Sequence, residues 1–592
     1  MAHQSENAKR LALRVCDGIS AVADLNRIDA SAPAVYAFIL PFGRTVSDSE
    51  ASSQLWEALR DLSARAHPES TIAILTTPPD AAALWVELEL HLRFQLWIAV
   101  KLARPTNSPG QLPQNHAALL ILTKYNDTLR HTKTRIAYTY CPACRRTTKD
   151  YGGKKHTYHE YGTLVSDVWR DTAYDPDELP VEVLSRLQDL FGLPPYENLR
   201  LLDLRHVEEL RPRPSLLVKD VNTEDRSDAG IPTGLVRGDC LEALPSIPSE
   251  SVDFCFADPP YNLKKRYDSW DDTLDITRYF QWCDEWLTEL ARVLKPGRTC
   301  AVLNIPQWAI RHFSHMRKLL RYQCWIAWEG LSLPVRMIMP AHYSIVCFAK
   351  GTPRDLPGLT EQTGSDMEME CLRPLAESFC LRSSCVERRR ARRLVDTSPI
   401  TDLWWDIHRL KHNTRRVDHP CQLPPALMRR LIALFTSRNE LVLDPFNGAG
   451  TTTLAAEQLG RRFIGMELSE QYHALALKRH EELRAGLDPF RKTDSVPRAK
   501  NSYVKRLEKQ QYAVSKKALQ LEVKRIAKEL GHLPTRDEVK RLSVFPLEYY
   551  EKYFISWGEV CAAARTTGMS EYLPDDPRAQ RNNQMPLFEV SP

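Results

Sequence analysis

Two short stretches hold residue types that could do chemistry together. The first is Asp258-Pro259-Pro260-Tyr261-Asn262, which follows the apolar run Ser251-Val252-Asp253-Phe254-Cys255-Phe256-Ala257. Aromatic and β-branched residues at that density predict a buried strand, so an acid stands where the strand ends. Two prolines then fix φ and remove two amide donors, which holds the carbonyls of Asp258 and Pro259 outside any ladder. The Asp258 carboxylate and the Pro259 carbonyl are two acceptors that suit the exocyclic amine of a nucleobase. Such an amine is a poor nucleophile because its lone pair is delocalised, and accepting both its hydrogens draws the nitrogen toward tetrahedral geometry. Tyr261 adds a flat surface for a base that has left its duplex.

The second stretch is Leu441-Val442-Leu443-Asp444-Pro445-Phe446-Asn447-Gly448-Ala449-Gly450-Thr451-Thr452-Thr453, followed by an apolar helix to Gly460 and by Phe463-Ile464-Gly465-Met466-Glu467. The pattern predicts strand, glycine turn, helix and a second strand ending in an acid. Gly448 and Gly450 let the backbone pass close to a ligand, and the helix opening near Thr451 offers free amides. Glu467 falls where a βαβ unit places the acid that accepts ribose hydroxyls. Alone this would suit a dinucleotide, but the loop F-N-G-A-G is not G-x-G-x-x-G.

Taken together, the two motifs resemble those of the β class of DNA amino-methyltransferases, in which D-P-P-Y precedes D-P-F-x-G-x-G-T-T. The resemblance spans about residues 230–485 and includes Gly238-Asp239-Cys240-Leu241, Val293-Leu294-Lys295-Pro296-Gly297 and His419-Pro420-Cys421-Gln422-Leu423-Pro424. It implies an α/β, Rossmann-like AdoMet-dependent methyltransferase fold with a catalytic domain over 230–490. By the same resemblance Asp258, Pro259, Pro260 and Tyr261 are catalytic. Asp444, Phe446, Asn447, Gly448, Gly450, Thr451 and Glu467 would hold S-adenosyl-L-methionine, with Asp239 near its adenine and His419 and Gln422 beside it. Leu423 stands where the family often has Lys, which leaves the contact to the cofactor carboxylate open. Asp at the head of D-P-P-Y, with Asn262 after it, resembles enzymes that methylate adenine N6 in double-stranded DNA. Cytosine-N4 transfer, and amino-methylation of RNA or protein glutamine, are the alternatives. A restriction nuclease or phage-defence system is a partner that such an enzyme can accompany.

The 592 residues, 43% hydrophobic, can bury several cores, and the net charge of +5 is small enough that any nucleic-acid surface must be local. No apolar run approaches the length of a membrane span, and Met1-Ala2-His3-Gln4-Ser5 does not open a signal sequence, so a cytoplasmic protein is expected. The 14 cysteines are scattered, as in a reducing compartment.

Residues 1–215 read like the catalytic half with its chemistry removed. Ala34-Val35-Tyr36-Ala37-Phe38-Ile39-Leu40-Pro41-Phe42 has the strand-then-proline shape of 254–261 without the acid, and His116-Ala117-Ala118-Leu119-Leu120 parallels His342-Tyr343-Ser344-Ile345-Val346. Ser166-Asp167-Val168-Trp169 matches Thr401-Asp402-Leu403-Trp404, and Leu201-Leu202-Asp203-Leu204 matches Val442-Leu443-Asp444-Pro445. Matches in one order predict an internal duplication: a degenerate methyltransferase-like copy that makes the chain an internal pseudo-dimer. A polar linker is expected over 212–234.

Each half carries a basic, cysteine-bearing insertion. In the first, Cys141-Pro142-Ala143-Cys144 has the bite of a tetrahedral zinc, which His156 and His159 could complete. Cys380 and Cys385 of the second insertion are the rival ligands, in a structural zinc site shared by the halves. The insertion at about 352–400, with Arg388-Arg389-Arg390-Ala391-Arg392-Arg393, is expected to recognise the target, and 125–165 is its counterpart.

Residues 500–570 have helical apolar spacing stopped at Gly531 and resumed at Thr535, and they resemble the small repeat attached to homing endonucleases, which implies a DNA-binding module. The polar tail, 571–592, is expected to be disordered. Its Gln584-Met585-Pro586-Leu587-Phe588 resembles the peptide that docks bacterial proteins to the replication sliding clamp.

Overall fold

In a computed structural model, residues 14–15, 22–42, 50–125, 129, 134–147, 162–191, 199–207, 233–263, 273–330, 341–360, 366–393, 396–410, 422–490, 514, 516–554, 556–561 and 564 are described. Residues 212–232 of the linker expected over 212–234, together with His156, His159, His419 and the tail with its 584–588 peptide, lie outside them, and Gly234 already belongs to a strand.

Nineteen strands are described, beginning with Arg14–Val15 (β1), Val35–Ile39 (β2), Thr71–Thr76 (β3), Arg93–Thr106 (β4) and Gln114–Thr123 (β5). Two small ribbons follow, Arg135–Ile136 (β6) with Thr163–Leu164 (β9) and, between them in sequence, Tyr140–Cys141 (β7) with Arg146–Thr147 (β8). Val168–Tyr174 (β10) and Leu199–Asp203 (β11) complete a sheet of order β1-β11-β2-β3-β5-β4-β10. The second half supplies Gly234–Arg237 (β12), Val252–Ala257 (β13), Leu294–Asn304 (β14), Arg321–Glu329 (β15), His342–Ala349 (β16), Leu403–Trp404 (β17), Leu441–Asp444 (β18) and Arg462–Glu467 (β19). Its sheet runs β12-β19-β18-β13-β14-β16-β15-β17.

From β18 onward the second order repeats that of the first from β11 onward, and the senses repeat too. β2 is parallel to β3 as β13 is to β14, β5 is antiparallel to β3 and β4 as β16 is to β14 and β15, and β10 and β17 close each series in parallel. Register makes the comparison residue by residue. Thr71 lies opposite Thr123 and Thr299 opposite Ala349, positions equally far from His116 and His342, so Val35 corresponds to Phe254. Ile39, Leu40, Pro41 and Phe42 then take the places of Asp258, Pro259, Pro260 and Tyr261. Asp203 does not take the place of Asp444, because Val35 pairs with Leu199 and Phe254 with Val442, which puts Leu201 there. Sequence similarity between strands does not see register; Asp203 instead holds Arg205, 2.7 Å away. In the first sheet β1 takes the place of β19, pairing in parallel with β11 as β19 does with β18, and among the described residues no strand takes the place of β12.

A continuous core crosses between the halves. Trp97 of β4 and Trp325 of β15, corresponding positions, stack on each other with ring centroids 4.8 Å apart. Two buried pairs are exchanged: His116 Nδ1 lies 2.9 Å from Asp402 Oδ2, and His342 Nδ1 lies 3.0 Å from Asp167 Oδ2.

The helical module has its own core around Leu519, Val523, Ile526, Val539 and Tyr550. Gly531, at φ +72°, ends the helix Lys516–Leu530, and a Thr535/Glu538 capping box starts Arg536–Leu542. No helix among the described residues is long and apolar enough to cross a membrane.

Candidate active site

All six residues of β13 are buried, as a strand covered on both faces requires, and the chain leaves the sheet at Asp258. The loop that follows is held from three sides. Tyr261 donates its hydroxyl to Asp258 Oδ1 at 2.7 Å, Tyr279 donates to the Pro260 carbonyl at 2.7 Å, and Trp308 Nε1 donates to the Tyr261 carbonyl at 3.0 Å. Asn262 takes φ +53° and bonds the Leu274 carbonyl through Nδ2 at 2.8 Å. The Asp258 carboxylate is thus fixed in rotamer by the aromatic hydroxyl of its own motif.

Strand β18 leads into the glycine turn beside it, where the strand order reverses between β13 and β18. That is where an open α/β sheet binds its ligand. Gly448 and Gly450 have φ of +51° and +82°, and a Cβ on Gly450 would stand 3.0 Å from the Cβ of Ala476. The helix Thr451–Gln458 starts at once. Glu467, at the end of β19, accepts the Gly448 amide on Oε2 and the Ser469 amide on Oε1, both at 2.8 Å, so its carboxylate faces the turn in one orientation. Asn447 is buried, accepts the Thr453 hydroxyl at 2.9 Å and packs against Gly465, where a Cβ would lie 2.7 Å from Asn447 Cγ. Its Nδ2 has no hydrogen-bond partner among the described residues. Asp444 is buried and accepts the Phe446 amide at 2.8 Å. Burial pushes its carboxyl up to about 7 against the Thr452 and Phe446 hydrogen bonds, and the nearby Asp258 and Glu467 charges add to the rise.

One cleft, about 1040 Å³ with its open mouth included, brings these residues together. Asp258, Pro259, Pro260 and Tyr261 line it across from Asp444, Phe446, Asn447, Gly448, Thr451 and Glu467, and Gln422 and Leu423 reach it as well. Gly450 shapes the turn from behind. Asp239 lines the cleft and also caps the short helix Cys240–Ala243 by accepting the Leu241 amide at 2.9 Å. Trp282 and Tyr472 are wall residues that the motifs did not point to. Trp282 and Trp286 pack their rings 5.6 and 5.1 Å from Phe446, and in sequence they are indistinguishable from core positions of an amphipathic helix.

Four carboxylates, Asp239, Asp258, Asp444 and Glu467, line this cleft, and among the described residues no Lys or Arg does. A pyrophosphate would be repelled, which disposes of the dinucleotide alternative. A cation carrying a ribose and an aromatic base suits this lining, since the carboxylates can balance positive charge and Phe446 with Trp282 forms an aromatic wall. S-adenosyl-L-methionine, with its sulfonium and ammonium groups, has that chemistry.

Comparison with known proteins agrees. Residues 252–478 match the family model described as DNA methylase, and residues 514–564 match that of the homing endonuclease associated repeat. Residues 252–478 form a DNA methylase domain. Among curated relatives, this chain is 32% identical over 239 residues to the type II methyltransferase M.BamHI of Bacillus amyloliquefaciens, covering 40% of this chain and 54% of that protein. It is 28% identical over 246 residues to the DNA adenine methyltransferase YhdJ of Escherichia coli K12, covering 41% of this chain and 81% of that one. The match thus spans about half the length of the first of these. A solved DNA modification methylase of Thermus thermophilus complexed with S-adenosyl-L-methionine is 24% identical, with 41% of this chain and 91% of that one covered and a TM-score of 0.29.

Away from the cleft, Cys141, Cys144, Cys380 and Cys385 converge, their sulfurs all within 4.8 Å of one another. The arginine run is less available than its sequence suggests. Arg389 is buried against Asp396, whereas Arg388, Arg390, Arg392 and Arg393 are exposed, Arg390 in an exposed pair with Glu370.

Proposed function

We propose that this chain transfers a methyl group from S-adenosyl-L-methionine to the exocyclic N6 of adenine in double-stranded DNA. The observation that carries the reading is the convergence of D-P-P-Y and D-P-F-x-G-x-G on one acidic cleft. When bound, the cofactor supplies a methyl on a sulfonium, an electrophile that needs no metal and no covalent enzyme intermediate. The glycine turn and Glu467 hold its adenosyl part, and Asp444 and Asp258 balance its charge. Tyr261 takes the face of the flipped base, and the Asp258 carboxylate and Pro259 carbonyl accept the amine hydrogens, which restores nucleophilicity to the nitrogen. Residues 1–215 act as a silent copy that positions DNA: Ile39 stands in place of Asp258 and Leu201 in place of Asp444.

The insertions near 352–400 and 125–165 read the target, and the helical module at 514–564 adds a DNA contact. The 584–588 peptide docks to the sliding clamp, which Leu587→Ala with Phe588→Ala abolishes, and a restriction or defence partner completes the system. Long-read sequencing of DNA from cells expressing the chain, beside cells expressing Asp258→Ala, tests the central claim. Methyl-adenine at one motif, absent with the variant, is expected. Methyl-cytosine would move the reaction to N4, and unmodified DNA in both samples would overturn DNA as the substrate.

A further inference from the structure

The four clustered cysteines lie far in sequence from both motifs and take no part in the cleft. Cys141 ends β7 and Cys144 lies in the turn between β7 and β8 in the first insertion. Cys380 precedes, and Cys385 lies in the first turn of, the helix Ser383–Ala391 in the second. The two insertions occupy corresponding places in the two halves, after β5 and after β16. Each therefore contributes one pair of thiols to a site between the halves.

We propose that Cys141, Cys144, Cys380 and Cys385 bind one structural zinc ion that clips the insertion of the silent half to that of the catalytic half. Zinc–sulfur bonds of about 2.3 Å in a tetrahedron place sulfurs about 3.8 Å apart. Cys144 and Cys380 are 3.8 Å apart, and Cys141 and Cys385 are 4.0 Å apart. A disulfide would bring each pair to about 2.05 Å, and among the described residues all these cysteines are free.

Three surrounding features fit a metal-bound tetrathiolate better than four ordinary buried thiols. Arg389, itself 1% exposed, points Nη1 at Cys385 Sγ from 3.1 Å, a charge-assisted donor of the kind an anionic sulfur needs. Four thiolates around a divalent ion carry net negative charge, and the buried guanidinium offsets part of it. The residue after Cys144 is Arg145 at φ +51°, a strained conformation for a side chain of that size, and metal ligation just before it would hold the turn in place. The apolar cluster here is small, Phe379 and Ala143 around the cysteines, so ribbon and helix have little core of their own to fix them. Small irregular segments of this kind are commonly held by a metal.

The site is independent of the reaction assigned to the cleft, and metal content reports on it whether or not methyl transfer is found. The experiment is elemental analysis of the purified full-length chain, with cobalt substitution and a pair of variants. About one zinc per chain is expected, with the absorption bands of a tetrathiolate when cobalt replaces it. Cys141→Ser with Cys385→Ser should lose the metal, whereas Cys371→Ser, in the same insertion but outside the cluster, should keep it. A metal-free wild-type chain would overturn the proposal, whether its four cysteines titrate as thiols or are found as disulfides. So would a cobalt spectrum without thiolate bands, a readout on the wild-type chain that stands even if the double variant does not fold.

Discussion

The Tyr261 side chain has two jobs that a substitution can separate. Its hydroxyl orients Asp258 and its ring faces the cleft. Tyr261→Phe removes one hydrogen bond, worth about 1 kcal/mol, so kcat should fall by roughly tenfold or less. Tyr261→Ala also removes the stacking surface, worth about 1–3 kcal/mol per base, and should lower kcat/KM by a further ten- to hundredfold or so. Equal losses in a single-turnover assay would mean that the ring does not stack. Asp444 sets a pH dependence. Its folded pKa, about 7, lies above the unfolded value of about 3.9. The empty protein therefore has a stabilising contribution from this group that is full below about pH 4 and lost as pH rises through about 7. A cationic ligand favours the ionised form, so cofactor binding should release a proton and tighten between pH 6 and 8. Calorimetry in buffers of different ionisation enthalpy should show that release, and Asp444→Asn should abolish it. These residues were legible in the sequence because their chemistry admits few substitutes. The elevated Asp444 pKa was not, since it arises from burial beside carboxylates that approach only in the fold.

Single elements position the site, and their glycines show how tightly. Gly450→Ala meets two obstacles, a positive φ and an alanine Cβ 3.0 Å away. The turn would have to move, and cofactor affinity should fall by about tenfold or more, at about 1–3 kcal/mol for the strain. Gly465 has no positive φ and is tight for another reason: Asn447 Cγ lies 2.7 Å and Thr453 Cγ2 2.8 Å from its Cβ position. Gly465→Ala should lower Tm, by displacing Asn447, as well as cofactor affinity; an unchanged thermal midpoint would show that Asn447 can retreat freely. The sequence distinguished these elements well where glycine, proline and an acid mark strand ends. It misplaced Asp203, since β11 and β18 look alike as strands and only the pairing register shows that Leu201 stands where Asp444 does. The same limit hid the wall formed by Trp282, whose helical spacing is that of any buried face.

At the scale of the molecule, the matched motifs proved to be contacts rather than mere likeness. His116, Asp167, His342 and Asp402 were visible as repeated residues, yet each histidine meets the aspartate of the other half, an arrangement that depends on how the sheets dock. Asp402 Oδ1 also accepts the Asn115 amide at 2.7 Å, and Asp167 Oδ1 accepts the Ala341 amide at 2.8 Å, so each carboxylate satisfies backbone of the opposite half. Removing one member of such a buried pair costs about 3–5 kcal/mol, because the other is left without compensation. With the core continuous through Trp97 and Trp325, neither sheet can unfold and leave the other's buried face intact. Calorimetry should therefore show one transition for the two sheets, separate from that of the helical module with its own core. Trp97→Ala, which leaves a cavity costing about 3–5 kcal/mol, should move that single transition down by roughly 5 °C without dividing it. Asp402→Ala and Asp167→Ala, one from each half, should move the same transition. Two transitions, with Trp97→Ala lowering one and sparing the other, would mean that the first sheet folds alone and is joined to the second only by docking.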